Sequence, residues 1–115
     1  EAITYFRRLI QLDAQSVDSL NRLAWVLSTA ADAAVRNGAE AVQLATRSCE
    51  LTRYQNPQSL NSLAAAYAEA GRFEDAVDTA KQAFALAQAS GQTGLAGILQ
   101  KLLELYQARQ PYREG

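Results

Sequence analysis

The sequence predicts an all-α protein in which helices form stacked pairs, and three observations point to this fold class. Apolar residues recur three and four positions apart along almost the whole chain, which is the period of an amphipathic helix. No stretch shows the alternation of apolar and polar residues that is typical of a half-buried β-strand. Two stretches also read almost alike, LNRLAWVL at 20–27 and LNSLAAAY at 60–67. Such self-similarity indicates a structural unit that occurs more than once.

The first predicted helix lies within 1–14 and is amphipathic, with Arg7 and Arg8 outside its apolar face. We interpret it as the second helix of a truncated pair. The apolar face consists of Ala2, Ile3, Phe6, Leu9, Ile10 and Leu12.

The next segment, 15–54, is predicted to hold a helix pair joined by a long connection. Ser16 or Asp18 is expected to cap the start of its first helix, because both side chains accept hydrogen bonds from backbone amides. The connection reads AADAAVRNG, and its last two residues, Asn37 and Gly38, predict a turn because both tolerate positive φ.

The segment 57–90 is predicted to hold a second helix pair, divided at Gly71 and ending at Gly91, where a left-handed closing residue is natural. A last helix, 93–109, ends before Pro111 and is interpreted as a cap laid on the second pair. Its expected packing stripe is Leu95, Ile98, Leu99, Leu102 and Tyr106. Leu103 and Leu105 lie outside this stripe, are expected to remain exposed, and are candidates for self-association.

The repeat has a definite register. Ala76, Val77 and Ala80 in the second pair align with residues 35 positions earlier, which are Ala41, Val42 and Ala45. Small Ala residues at matching sites allow helices to approach closely. Each pair then has apolar surface on two sides and must stack on its neighbours.

The stretch LNSLAAAYAEAGRFEDAVDTAKQAFAL resembles a tetratricopeptide repeat (TPR). The matching residues are Leu60, Leu63, Ala64, Tyr67, Gly71, Phe73, Ala76, Ala80 and Ala83, and the first pair repeats the pattern with Leu20, Leu23, Ala24, Leu27, Ala41, Ala45 and Ser48. The resemblance implies antiparallel helix pairs in a right-handed superhelix (a TPR-like α-solenoid), with a partner bound in its concave groove. The long connection looks like that of repeats appended to large bacterial proteins. Because the chain opens on Glu1 without Met, we interpret it as part of a larger protein.

The residues expected to face this groove come from the first helix of each pair. Asn21 and Asn61 occupy matching sites, where an amide could bond a peptide backbone or satisfy local groups. Trp25 is interpreted either as a binding hot spot or as a core residue under the long connection. The complete set is Asp18, Asn21, Trp25, Ser28, Thr29, Gln58, Asn61, Ala65, Ala68 and Glu69.

Composition excludes several classes of function. The net charge of −1 without a basic cluster argues against nucleic acid. No apolar run approaches the ~20 residues that span a bilayer, and no signal peptide is recognised, so we expect a soluble fragment, cytoplasmic and without membrane contact. The chain has no His, and its single Cys, Cys49, is expected to be a buried, inert thiol. The acidic residues Glu74, Asp75 and Asp78 are interpreted as a solvated helix start. We therefore expect no enzyme activity, no metal and no cofactor.

Two hypotheses of function remain. The first is a scaffold that binds a peptide segment or partner helix of another protein in the groove. The second is structural: self-association as a homodimer, or docking within a larger protein, through exposed faces of the terminal helices. The connection before Gly38 is interpreted as a simple linker, with Arg36 as its one distinctive side chain.

Overall fold

A computed structural model describes residues 2–114, and six helices without a strand account for this range. The all-α prediction is confirmed. Glu1 and Gly115, the end residues of the predicted domain, lie outside the described residues. The helices are α1 Ala2–Leu12, α2 Val17–Thr29, α3 Gly38–Leu51, α4 Pro57–Glu69, α5 Phe73–Ala89 and α6 Thr93–Gln107. Within residues 2–114, no helix combines the length and the apolar character needed to cross a membrane.

Each helix packs against the next one along the chain, and α2 also packs directly on α4. The contacts depend on small side chains, because Ala24, Ala41, Ala64 and Ala76 are fully buried and let the helix backbones approach closely. α6 packs on α5, and its Tyr106 is completely buried in a cluster that also contains residues of α4 and α5. The radius of gyration, 13.0 Å, is that of a compact unit of this length.

Three helices begin at a polar side chain that caps free backbone amides. Ser16 accepts a hydrogen bond from the amide of Ser19 at the start of α2. Asn37 and Asn56 cap α3 and α4 in the same way. Of the two predicted caps of α2, Ser16 is the cap, whereas Asp18 lies in the first turn and pairs with an Arg one turn later.

The predicted positive-φ turn at Asn37 and Gly38 is wrong. Asn37 has an extended backbone, with φ −151°, and Gly38 is the first residue of α3. A Cβ on Gly38 would lie only 2.9 Å from the backbone nitrogen of Ala70, just after α4. Glycine is therefore needed here for close approach between α3 and the end of α4, and not for an unusual φ.

The glycines that end α4 and α5 do adopt the left-handed conformation, with φ 80° at Gly71 and 73° at Gly91. The residue after each glycine donates a backbone hydrogen bond back into the last turn, as in a Schellman motif. α3 ends differently, because Arg53 and Tyr54 take up positive φ without a glycine. The sequence carries no signal for that ending.

The exposure predicted for the terminal helices is partly wrong. Leu103 and Leu105 are half-buried, because Leu103 packs against the Tyr106 cluster and Leu105 lies beneath the chain that returns after α6. Ile98, expected in the packing stripe, is 54% exposed instead. None of the described residues of α1 is buried, and Leu12 at its end is 77% exposed.

Candidate binding surface

Five of the predicted groove residues lie around one cavity of about 430 Å³ between α2 and α4. We call it the amide cavity, because two Asn and one Gln line it. Its lining residues are Asp18, Asn21, Trp25, Gln58 and Asn61, together with Phe6, Arg22, Val26 and Ser62. The repeated sequence positions are thus brought together in space.

The remaining predicted groove residues do not face this cavity. Ser28 and Thr29 are buried, and each hydroxyl donates a 2.7 Å hydrogen bond to the backbone carbonyl four residues earlier. Ala65 and Ala68 are also buried. The side chains of these four residues therefore do not face the groove as predicted, since the sequence period alone does not tell which part of a helix its neighbours cover.

Asn21 links three helices through its side-chain amide. Its amide nitrogen donates to Ser59 Oγ over 3.2 Å, and its amide oxygen accepts a hydrogen bond from Ser48. The hydroxyl oxygens of Ser48 and Ser59 are 2.7 Å apart, and both residues are completely buried. The partners of Asn21 are thus side chains of α3 and α4 and not the local groups that the sequence suggested.

Asn61 has the matching sequence position and a different environment. Among the described residues, its buried Oδ1 has no hydrogen-bond partner. The residue that aligns with Ser48 in the next pair is Ala83, which has no hydroxyl to donate. Asn61 therefore lines the amide cavity with an amide oxygen that has a different environment from that of Asn21.

Trp25 lies between the amide cavity and a second cavity, so the alternative of a core residue under the long connection does not describe it, and the binding hot spot stays a prediction. It is half-buried, its ring packs 5.7 Å from that of Tyr112, and its Nε1 donates to Glu114 Oε1 over 2.9 Å. The partner that caps the indole nitrogen is thus a carboxylate from the end of the chain and not a carbonyl of the long connection.

Residues 111–114, here called the tail, run back across α2 after a left-handed turn at Arg109, where φ is 58°. The backbone nitrogen of Glu114 donates to the carbonyl of Thr29 over 2.6 Å. A cavity of about 490 Å³, the tail cavity, opens beside it. Its lining is Trp25, Ile98, Lys101, Leu102, Leu105, Tyr112 and Glu114. No repeat pattern in the sequence marks the tail.

Glu69 lies at the other side of the tail, with two guanidinium groups around its carboxylate. Arg113 Nη1 is 2.7 Å from one carboxylate oxygen, and Arg36 Nε is 3.5 Å from the other. Arg36 also donates to the carbonyls of Ala30 and Ala31, at the start of the long connection. The connection therefore positions a charge against Glu69 and is more than a spacer.

The Cys49 thiol and the Tyr106 hydroxyl both lie in the protein core. Cys49 is fully buried, and burial raises the pKa of its thiol to about 12, so the thiolate is scarce at neutral pH. Burial also raises the pKa of the Tyr106 hydroxyl. Between residues 2 and 114, there is no cluster of three or more His, Cys, Asp or Glu side chains that could bind a metal ion.

In comparisons with known proteins, the chain matches no family model, and no curated protein or solved structure is significantly similar to it.

Proposed function

We propose that this chain is a TPR-like interaction module that holds an extended segment of a partner protein along α2 and α4. The observation that supports the proposal is the amide cavity, which Asn61 lines together with Trp25 and Gln58, and the Oδ1 of Asn61 has no hydrogen-bond partner within residues 2–114. A peptide backbone offers N–H donors at regular intervals, which is what such an acceptor requires.

The composition of the cavity favours a peptide over other ligands. Its only charged side chains are Asp18 and Arg22, which pair with each other one turn apart. Nucleic acid would need several unpaired cations. Amide groups next to an indole are instead suited to bind a backbone and one apolar side chain of a peptide.

The packing of the helices supports the repeat architecture within the proposal. α2 and α4, the first helices of the two aligned pairs, pack directly on each other, as stacked repeats require. The right-handed superhelix and the membership of the TPR family belong to the proposal, and they rest on the sequence pattern described above.

The proposal is tested by selecting binders from a library of random linear peptides and measuring their affinity with the purified chain. We expect Asn61→Ala to weaken binding by about tenfold, because a hydrogen bond of ~1.4 kcal/mol corresponds to that factor. Trp25→Ala should weaken it at least as much, since buried Trp residues often dominate interfaces. Gln43→Ala, at an exposed site on α3, serves as the matched control.

Peptides that bind all three variants equally, or a library from which no binder is enriched, would contradict the proposal. Backbone amide shifts on peptide addition provide a second readout. They should concentrate on the residues of the amide cavity, and shifts confined to α1 or to the end of α5 would point to another surface.

A second function is favoured by the open face of α1. Tyr5 and Leu12 are 60% and 77% exposed on a helix without a fully buried residue among those described, and isolated apolar faces of this kind commonly dock. In this alternative, the chain self-associates or packs within a larger protein through α1. The half-buried Leu103 and Leu105 do not support a contact through α6.

Light scattering distinguishes the alternative. A dimer that Leu12→Glu dissolves, and that Gln11→Glu leaves intact, would support docking through α1. A monomer at high concentration would rule out self-association of this chain.

A further inference from the structure

The tail already occupies one end of the α2 surface in the manner of a bound peptide. Each of three successive residues contacts the surface. Tyr112 packs on Trp25, and Arg113 pairs with Glu69. The Glu114 carboxylate accepts from the indole nitrogen, and its backbone amide donates to the carbonyl of Thr29. Side-chain contacts combined with a backbone hydrogen bond are how extended peptides are usually held.

The α2 side of this contact needs a partner whatever residues supply it. Thr29 is the last residue of α2, and the final carbonyls of a helix have no donor within the helix. In the structure, Thr29 receives the amide of Glu114, and the carbonyl of Ser28 receives the guanidinium of Arg113 at 3.4 Å. The end of α2 is therefore a pair of acceptors that an extended segment with a basic side chain satisfies.

The charge of Glu69 sets the second requirement. Its side chain is only 15% exposed, so its carboxylate lies between Arg36 and Arg113 with little water. Arg36 belongs to the fixed connection, whereas Arg113 belongs to the tail. A segment that replaced the tail would have to bring its own cation to the place of Arg113.

The indole of Trp25 sets the third requirement, because it presents an apolar ring face together with a single N–H donor. Tyr112 packs against the ring, and the carboxylate of Glu114 accepts the donor. The order along the segment is thus aromatic, basic, acidic. Trp25 also lines the amide cavity, so the two sites are contiguous.

We propose that Trp25, Thr29 and Glu69 form a recognition site for an extended partner segment with an aromatic, a basic and an acidic residue in that order, and that residues 112–114 are its resident competitor. This inference rests on the proposed function, because the partner segment continues from this site into the amide cavity. A tail tethered by a few residues competes at an effective concentration in the millimolar range. It therefore weakens the binding of a partner segment and makes the site selective for strong ligands.

The experiment uses the 115-residue chain, in which Trp25 is the only Trp and its fluorescence reports on this site alone. A release variant, Tyr112→Ala with Arg113→Ala and Glu114→Ala, removes the three side-chain anchors of the tail. Gln110→Ala is the matched control, since Gln110 is exposed and precedes the tail. We expect the release variant to show red-shifted emission and stronger acrylamide quenching with unchanged helicity, and the control to behave as the wild type.

The ligand probe is a blocked synthetic peptide with the sequence QPYRE, compared with the reversed sequence ERYPQ. We expect QPYRE to bind the release variant about tenfold more tightly than the wild type, as a tethered competitor predicts. The reversed peptide should bind both weakly. Adding Glu69→Gln to the release variant should weaken its binding of QPYRE, because the Arg of the peptide then loses its ionic partner.

Unchanged Trp25 fluorescence in the release variant would overturn the proposal, because the tail would then not cover the indole. Equal binding of QPYRE to the wild type and the release variant would disprove competition, and equal binding of the two peptides would disprove recognition of the order. A dimer that the release variant dissolves would assign the site to the tail of a second copy. None of these results decides the proposed function. That function is tested separately, by the effect of Asn61→Ala on the binding of library peptides.

Discussion

Asn21 and Asn61 carry the same side chain at matching positions, and their neighbours give them different roles. The Asn21 amide bonds the hydroxyls of Ser48 and Ser59 and so links α2 to α3 and α4. The Oδ1 of Asn61 is buried without a partner in residues 2–114. A residue of the first kind contributes to stability, whereas for one of the second kind we propose a role in binding.

Replacement of the two residues by Ala should separate these roles. We expect Asn21→Ala to lower the free energy of unfolding by about 1–3 kcal/mol, because two buried hydroxyls lose a hydrogen-bond partner. Asn61→Ala should leave it unchanged within about 0.5 kcal/mol. Urea unfolding followed by circular dichroism measures both, and a larger loss for Asn61→Ala would show that its amide is structural.

The stability of the protein should fall at alkaline pH. Burial raises the pKa of Cys49 from 9.0 to about 12 and that of Tyr106 above its ordinary value of 10.0. Below about pH 9 both groups are neutral in the folded and unfolded states, so their contribution to the free energy of unfolding is fully present. Above it, the unfolded state loses its protons first, and stability is lost progressively as pH rises through the folded-state pKa values.

Urea unfolding at a series of pH values measures this dependence. The free energy of unfolding should be nearly constant from about pH 7 to the unfolded thiol pKa of 9.0 and should then decline. Tyr106→Phe should make the decline shallower, since it removes one of the two groups. A steep loss of stability between pH 7 and 9, or an unchanged slope in the variant, would contradict this assignment of the groups.

At the scale of the elements, the start of α3 and the body of α6 use glycine in opposite ways. Gly38 is the point of closest approach between α3 and the end of α4, where a Cβ would meet backbone atoms. Gly94 and Gly97 lie within α6 with nothing within 4 Å of a Cβ. The first glycine is therefore needed for packing, and the other two only weaken their helix.

Alanine substitutions should change stability in opposite directions at these sites. Gly38→Ala is expected to cost about 1–3 kcal/mol, because backbone atoms cannot move aside as a flexible side chain can. Gly97→Ala should stabilise the protein by about 0.5–1 kcal/mol, the usual gain from replacing glycine inside a helix. Thermal unfolding compares the two variants. A stabilised Gly38→Ala would mean that α3 and α4 do not approach closely.

At the scale of the whole molecule, burial is concentrated in the middle of the chain. Most of the 13 residues of α4 are buried, whereas none of the described residues of α1 is. α1 is held by the partly buried Ile3, Phe6 and Ile10 and by an exposed ion pair between Arg7 and Glu40. Because exposed ion pairs contribute little, α1 is the least firmly held helix.

Hydrogen exchange should show this gradient directly. We expect the amides of α4 to exchange only through global unfolding, and those of α1 to exchange at least about a hundredfold faster through local opening. Leu12→Glu should not change the exchange of α1 in a monomer, since Leu12 is already exposed. Equal protection of α1 and α4 would indicate that α1 is covered, as in the self-association alternative.

Much of the fold could be predicted because its signals are local. The helical period, the capping residues Ser16 and Asn56, and the closing residues Gly71 and Gly91 depend only on neighbours in the chain. The candidate surface was predicted in part. Repeated spacing correctly brought Asn61 and four other residues to one cavity, but it also included side chains that neighbouring helices bury.

The all-α class, the six helices and most of their ends follow from local sequence signals, because the apolar period and the terminating residues act within one or two turns. Tertiary contacts alone establish that Asn21 is hydrogen-bonded whereas the Oδ1 of Asn61 has no partner in residues 2–114, that Gly38 is needed for close packing, and that the tail lies on Trp25. These features join residues that are distant in the chain. Their energies depend on which surfaces meet, and no local pattern encodes that.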